Sequence, residues 1–124
     1  DSILPVIEAG QSVLVDGDHV IDDWVRLAPS PGHTPGHICV HIASGQDSAV
    51  MSGDLMHHPV QCAEPDWSSC FCVDPAASAA TRREFLATYA DTPTLVMPAH
   101  FPTPGAGRII EAGDAWRFRF DDED

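Results

Sequence analysis

The sequence predicts a mixed α/β (α+β) fold: one sheet of six or seven short strands carrying one main helix, the half of a layered sandwich. Three observations predict it. Short apolar runs are separated by turn residues over most of the chain. Only the stretch after Asp74 carries helix punctuation. The runs at residues 49–51 and 95–97 are apolar at successive positions, as in strands covered on both faces, and one helix covers only part of one face. A second layer is therefore expected from a preceding segment missing here or from a second copy of the chain.

In chain order, residues 1–10 mix apolar positions with Pro5 and Gly10 and read as a loop or the tail of a helix. Residues 12–15 read as a short strand turned by Asp16-Gly17-Asp18. Residues 19–21 are expected to continue into 24–28 as a strand ended by Pro29. Ile38, Val40 and Ile42 alternate with Cys39 and His41, the period of a strand. Ser44-Gly45-Gln46-Asp47 turns the chain into the strand at 49–51, which stops at Ser52-Gly53-Asp54. Residues 57–72 show no period and are expected to form a rim or lid over a site. Asp74 then caps a helix whose first position is Pro75 and whose apolar stripe is Phe85, Leu86 and Tyr89, with Arg82 or Ala79 behind. Asp91-Thr92-Pro93 ends it, a strand follows at 94–97, and Pro102, Pro104, Gly105 and Gly107 make a rigid loop. Residues 108–111 and the alternating Trp116, Phe118 and Phe120 form a closing hairpin around Gly113-Asp114.

The chain has 124 residues, which sets one domain over 1–124. Six arginines and no lysine face nineteen carboxylates, a formal net charge of −13. That balance argues against nucleic acid, whose binding needs many basic phosphate contacts, and against an anionic membrane surface. Residues 121–124 are all acidic and read as a solvated tail. There is no apolar run near the length of a membrane span and no signal-peptide pattern. Cys39, Cys62, Cys70 and Cys72 form no C-x-x-C, and Cys70 and Cys72 are too close for a relaxed bridge, so reduced thiols and a cytoplasmic location are expected. The first residue is Asp1 rather than methionine, and the chain is expected to be cut from something longer.

The densest chemistry lies in Ser30-Pro31-Gly32-His33-Thr34-Pro35-Gly36-His37. Two histidines four apart would share a face on a helix, but the prolines and glycines make this a stiff loop with an imidazole at its tip. Read alone, it is either a surface turn or part of a site. His33, Asp54 and His100 each follow the carboxyl end of an expected strand, so neighbouring strands of suitable direction would gather them on one edge. Imidazole nitrogen and carboxylate oxygen are donors that zinc and similar divalent ions accept.

The motifs Pro31-Gly32-His33-Thr34-Pro35-Gly36-His37, Ser52-Gly53-Asp54 and Met97-Pro98-Ala99-His100, in that order, resemble the third, fourth and fifth motifs of the metallo-β-lactamase superfamily of binuclear metal hydrolases. The resemblance spans about residues 13–120 and implies the C-terminal half of an αββα sandwich. It implies two divalent ions, zinc first among them, with His33 on one, His100 on the other and Asp54 bridging both. It implies hydrolysis by a hydroxide held on the metals, and gives His37 the task of structuring the loop. The family's H-x-H-x-D-H motif is absent from this sequence. The parent protein is accordingly expected to be the hydrolase, and this chain alone to be metal-poor and nearly inactive.

In lactonases of this superfamily a tyrosine stands three residues after the bridging aspartate and helps position the carbonyl. His57 holds that place and either shares the role, as a catalytic and substrate-binding residue, or caps a turn. Trp67 and Phe71, with Met56 and Pro59, are available as a pocket wall, and His58 reads as surface. No arginine lies between Arg26 and Arg82, which favours a small, neutral, ester-like substrate such as a lactone or a phosphotriester. A thioester or β-lactam hydrolase, whose substrates carry carboxylates, is one alternative. A non-enzymatic half-sandwich that dimerises through its open sheet face and keeps a vestigial metal site is another.

Overall fold

The computed structural model describes residues 2–122. Seven strands form one sheet in sequence order: β1 (His19–Val20), β2 (Val25–Pro29), β3 (Ile38–Ser44), β4 (Asp47–Gly53), β5 (Leu95–Pro98), β6 (Gly107–Ala112) and β7 (Ala115–Phe120). Three helices accompany it: α1 (Leu4–Glu8), α2 (Val60–Ala63) and α3 (Pro75–Tyr89). Every neighbouring pair is antiparallel except β4 and β5, which are parallel and joined through α3. The sheet is therefore mixed, as expected, and α3 is its main helix.

The sequence reading errs where no partner was visible. Residues 12–15 form no strand, and Val13 and Leu14 lie exposed. Apolar alternation makes a strand only when a neighbour is at hand to pair with it. Residues 1–10 contain a five-residue helix, α1, with none of its residues buried. Residues 19–28 do not run as one strand. Asp22 Oδ1 accepts the N–H groups of Trp24 and Val25 at 2.9 and 2.8 Å, and this turn folds β1 back on β2. Residues 57–72, expected to lack structure, hold α2. Asp121 is not part of a free tail: its N–H reaches the Ala106 carbonyl and its carboxylate pairs with Arg108. Glu123 and Asp124 of that expected tail lie outside the described residues.

Helix α3 starts as its residues dictate. Asp74 Oδ1 caps the N–H of Ala77 at 2.9 Å, and Pro75 opens the first turn, where it has no intrahelical bond to lose. Its inner face presents Phe85 and Leu86, which pack with Val50, Val96, Ile109 and Phe118 into one core. Val50 and Val96 are direct partners across the parallel pair, so the covered face of the sheet is set by one register. On the other face Val40, Met51 and Met97 align across three strands and stay half-buried or exposed. One face is covered and the other open, whereas apolar residues on both faces of these strands call for a second layer.

Arg82 is the departure from the expected apolar stripe. It is fully buried, with Nε on the Leu55 carbonyl (3.0 Å), Nη1 on those of Pro65 and Trp67 (2.6 and 3.0 Å), and Nη2 on Ser78 Oγ (3.0 Å). A guanidinium is tolerated in the core when its donors meet fixed acceptors. Most of the acceptors belong to the chain between Leu55 and Trp67, so Arg82 ties that segment to the helix from inside, as Arg83 does at the surface through Asp66.

Candidate metal centre

The register places four chain ends on one edge. Pro29 pairs with Ile38, so the end of β2 meets the start of β3. Val40 pairs with Met51, which puts that start beside the end of β4, and Gly53 pairs with Pro98, which adds the end of β5. The loop 30–37, Asp54 and His100 leave from these ends. Parallel pairing of β4 with β5 is the essential step, because an antiparallel pair would send Asp54 and His100 to opposite edges.

The loop is closed by a hydrogen bond from the Ser30 N–H to the His37 carbonyl (2.9 Å). It is seated on α3 by Thr81 Oγ1 to the Pro31 carbonyl (2.7 Å) and by the N–H groups of Val73 and Asp74 to His33 and Gly32 (2.9 and 3.0 Å). Gly32 has φ +134°, and a Cβ there would lie 2.3 Å from the backbone of Ser78, so only glycine lets the loop sit this close. His37 Nε2 accepts the N–H of Asp54 at 3.0 Å, while its Nδ1 lies 2.7 Å from Ser30 Oγ and 3.1 Å from the Ser30 carbonyl. Because Nε2 is an acceptor, the ring proton sits on Nδ1. Burial holds the His37 pKa below its ordinary value, in keeping with that neutral form.

The site follows from this frame. His33 Nε2 lies 3.2 Å from Asp54 Oδ2, and His100 Nε2 lies 2.7 Å from Asp54 Oδ1. The two oxygens of one carboxylate thus face two imidazoles. The His57 ring stands between the other two, 5.0 Å from His33 and 4.9 Å from His100, nearly parallel to the latter. Its pKa is lowered by burial first, then by the neighbouring imidazoles. His33, Asp54, His57, Ser69, Phe71 and His100 line an open cleft of about 500 Å³.

Of the residues expected at the site, His33, Asp54, His57, His100 and Phe71 come together, and His37 stands just behind them. Trp67 does not line the cleft: its side chain is exposed elsewhere, and its carbonyl serves as an anchor for Gln61 and Arg82. Met56 is in the core, and His58 is exposed, with Nδ1 accepting the Val60 N–H. The sequence reading missed Ser69, and it missed Gln61, whose Oε1 accepts the N–H groups of His57 and His58 at 2.6 and 3.2 Å. It also missed Cys72, whose Sγ lies 3.8 Å from His33 Nδ1. The one available signal was Arg82, a charge inside an apolar stripe. All four cysteines are free.

A family model described as the metallo-beta-lactamase superfamily matches residues 2–100. The chain belongs to that superfamily. Among solved structures, this chain of the superfamily is similar to AidC, a dizinc quorum-quenching lactonase in complex with a product, at 26% identity and a TM-score of 0.87, over 97% of this chain and 41% of that one. It is similar to AbOPH, a hydrolase in the β-lactamase superfamily, at 24% identity and a TM-score of 0.87, over 99% of this chain and 43% of that one. A probable metal-dependent hydrolase from Staphylococcus aureus aligns at 20% identity and a TM-score of 0.69, over 90% and 41%. The last two likenesses are of fold. The chain spans about two-fifths of the length of each of these proteins (41%, 43% and 41%). No curated protein matches the sequence.

The donors present suit a divalent ion. His33, Asp54 and His57 offer ligand atoms that all lie within 4.8 Å of one another, and Nδ1 of His57 is buried without a hydrogen-bond partner. Nitrogen and oxygen donors in this mixture fit zinc, manganese, iron or cobalt. Among the described residues no helix is long and apolar enough to cross a membrane.

Proposed function

We propose that this chain supplies part of the metal site of a longer cytoplasmic hydrolase that cleaves a neutral ester-like bond, a lactone or a phosphotriester. The observation that carries this reading is the shared carboxylate, with Asp54 Oδ1 toward His100 and Oδ2 toward His33. His33 and Asp54 would hold one divalent ion and His100, with the other oxygen of Asp54, a second; zinc suits both. When bound, such ions supply an acidified water and polarise the substrate's carbonyl or phosphoryl oxygen.

The remaining groups belong to the chain. His37 holds the backbone of Asp54, so the carboxylate is aimed before any substrate arrives. The His57 ring faces the same cleft, where an imidazole can donate a hydrogen bond to a developing negative charge. Phe71 offers an apolar wall, and no lysine or arginine is among the lining residues, which suits a substrate without a carboxylate to grip. Similarity to AidC supports the lactone arm. The open sheet face, with Val40, Met51 and Met97, would be covered by the segment preceding this chain or by a second copy.

The test is a panel of acyl lactones, aryl phosphotriesters, thioesters and β-lactams on the full-length protein. Lactone or phosphotriester cleavage that is lost in Asp54→Asn is expected. Activity on thioesters or β-lactams alone overturns the substrate class. No hydrolysis, with the purified chain a metal-free dimer, favours the half-sandwich that associates through its open face.

A further inference from the structure

We infer that His57 is a metal ligand, completing with His33 and Asp54 a three-residue site, so that this chain binds one divalent ion with no residue from outside it. The inference rests on reading the cleft as a metal centre and extends it. Counting only His33, Asp54 and His100 leaves each ion one histidine and a share of one carboxylate, below the three protein ligands usual for a catalytic zinc. That count is what makes the isolated chain look metal-poor, and His57 changes it.

The geometry points to the same three residues. Their ligand atoms lie within 4.8 Å of one another. Donors on a tetrahedral zinc are roughly 3.4 Å apart, given metal–ligand bonds of about 2.0–2.2 Å. The difference is of the size that side-chain rotation, rather than backbone movement, would have to close. Meanwhile Nδ1 of His57 is buried with no partner. A buried polar atom left so is destabilising, unless a ligand becomes its partner.

The supporting residues are also there. The N–H of His57 is held by Gln61 Oε1 at 2.6 Å, and Gln61 Nε2 in turn donates to the Trp67 carbonyl at 2.6 Å. That carbonyl also accepts from buried Arg82. The backbone under His57 is thus pinned to α3, the kind of outer support that fixes a metal ligand's direction. His33 is seated on the same helix through its carbonyl and the N–H of Val73, just before the Asp74 cap. His100 lies on the opposite oxygen of Asp54, with its ring stacked on that of His57, where it would serve the second ion.

The experiment is cobalt(II) titration of the chelator-stripped chain, read by calorimetry and by the visible absorption of the bound ion. One ion per chain is expected. His57→Gln should weaken binding by at least about 10-fold and change the visible bands, since even supporting residues alter affinity on that scale. His33→Gln should behave likewise, while His58→Gln, at an exposed turn, should leave both readouts as in the parent chain. Melting of the metal-free His57→Gln variant checks that it folds. Histidine-ring ¹⁵N shifts of the unsubstituted chain give a second readout: those of His33 and His57 should move on adding one equivalent of zinc. Unaltered cobalt binding in a folded His57→Gln variant overturns the inference, as do ring shifts confined to His33 and His100. So does a folded chain that takes up no cobalt. None of these results by itself decides the hydrolase reading, which stands or falls on the substrate panel with the full-length protein.

Discussion

The N–H of Asp54 donates to Nε2 of His37 across 3.0 Å, so the second histidine of the loop holds the backbone of the residue whose side chain meets the first. The loop and the end of β4 are thereby one unit. His37 fills this place through its acceptor nitrogen, which explains why a histidine that faces no cleft stands in the loop.

His37→Phe should destabilise the chain by about 1–3 kcal/mol, because it leaves the Asp54 amide without its partner. Urea unfolding measures the loss. His37→Gln, whose carbonyl oxygen can accept the same bond, should recover part of it, and equal losses in the two variants would contradict the role.

Arg82→Met keeps much of the side-chain volume but takes the guanidinium donors from the carbonyls of Leu55 and Pro65 and leaves that of Trp67 with Gln61 alone. A loss of roughly 3 kcal/mol or more is expected. Hydrogen exchange should show it locally, with faster exchange between residues 55 and 72 than in the sheet. Uniform acceleration across the chain would argue that Arg82 supports the core at large rather than this segment.

Gly32→Ala and Gly53→Ala separate two kinds of constraint. Both residues have positive φ, but a Cβ at 32 meets the Ser78 backbone at 2.3 Å whereas one at 53 meets the His37 ring at 2.9 Å. A ring can give by a few tenths of an ångström, here by loosening its hold on the Asp54 N–H, and a helix backbone cannot. Gly53→Ala should lower stability by about 1–2 kcal/mol, the usual penalty of a left-handed residue. Gly32→Ala should exceed it and detach the loop from α3. Thermal melting of the two variants ranks them, and the reverse order would refute the explanation.

Acidification should weaken the metal-free fold in the range where histidine titrates. Burial holds His37, His41 and His57 below their ordinary value of 6.5, so the unfolded chain takes up protons that the folded chain resists. Stability from these groups is complete above about pH 6.5 and falls as pH drops from there toward the lowered folded values. Urea midpoints with chelator present should decline between about pH 7 and 5.5, above most carboxylate titration. His41→Asn should flatten the decline, since His41 pairs with Tyr89 away from the cleft. A midpoint that rises on acidification would contradict the assignment.

Local chemistry was enough for much of this. Asp74 and Pro75 mark the start of α3, alternation marks β3 and β7, and the order of the three motifs carries the superfamily resemblance and its ligand candidates. Those signals are short-range, carried by neighbours in the chain, and can be read without knowing what lies across the sheet. The sequence by itself thus determined the helix, most strands, and the places of His33, Asp54 and His100 just past strand ends; that they share one edge was decided by the parallel pairing of β4 with β5. The tertiary structure alone decided that residues 12–15 pair with nothing, that Trp67 turns away from the cleft, that Arg82 is buried, and that His57 stands between His33 and His100. Each of these depends on partners far along the chain: a strand needs a neighbour, a buried guanidinium needs carbonyls to receive it, and an imidazole is aimed by the backbone that Gln61 and α3 hold beneath it.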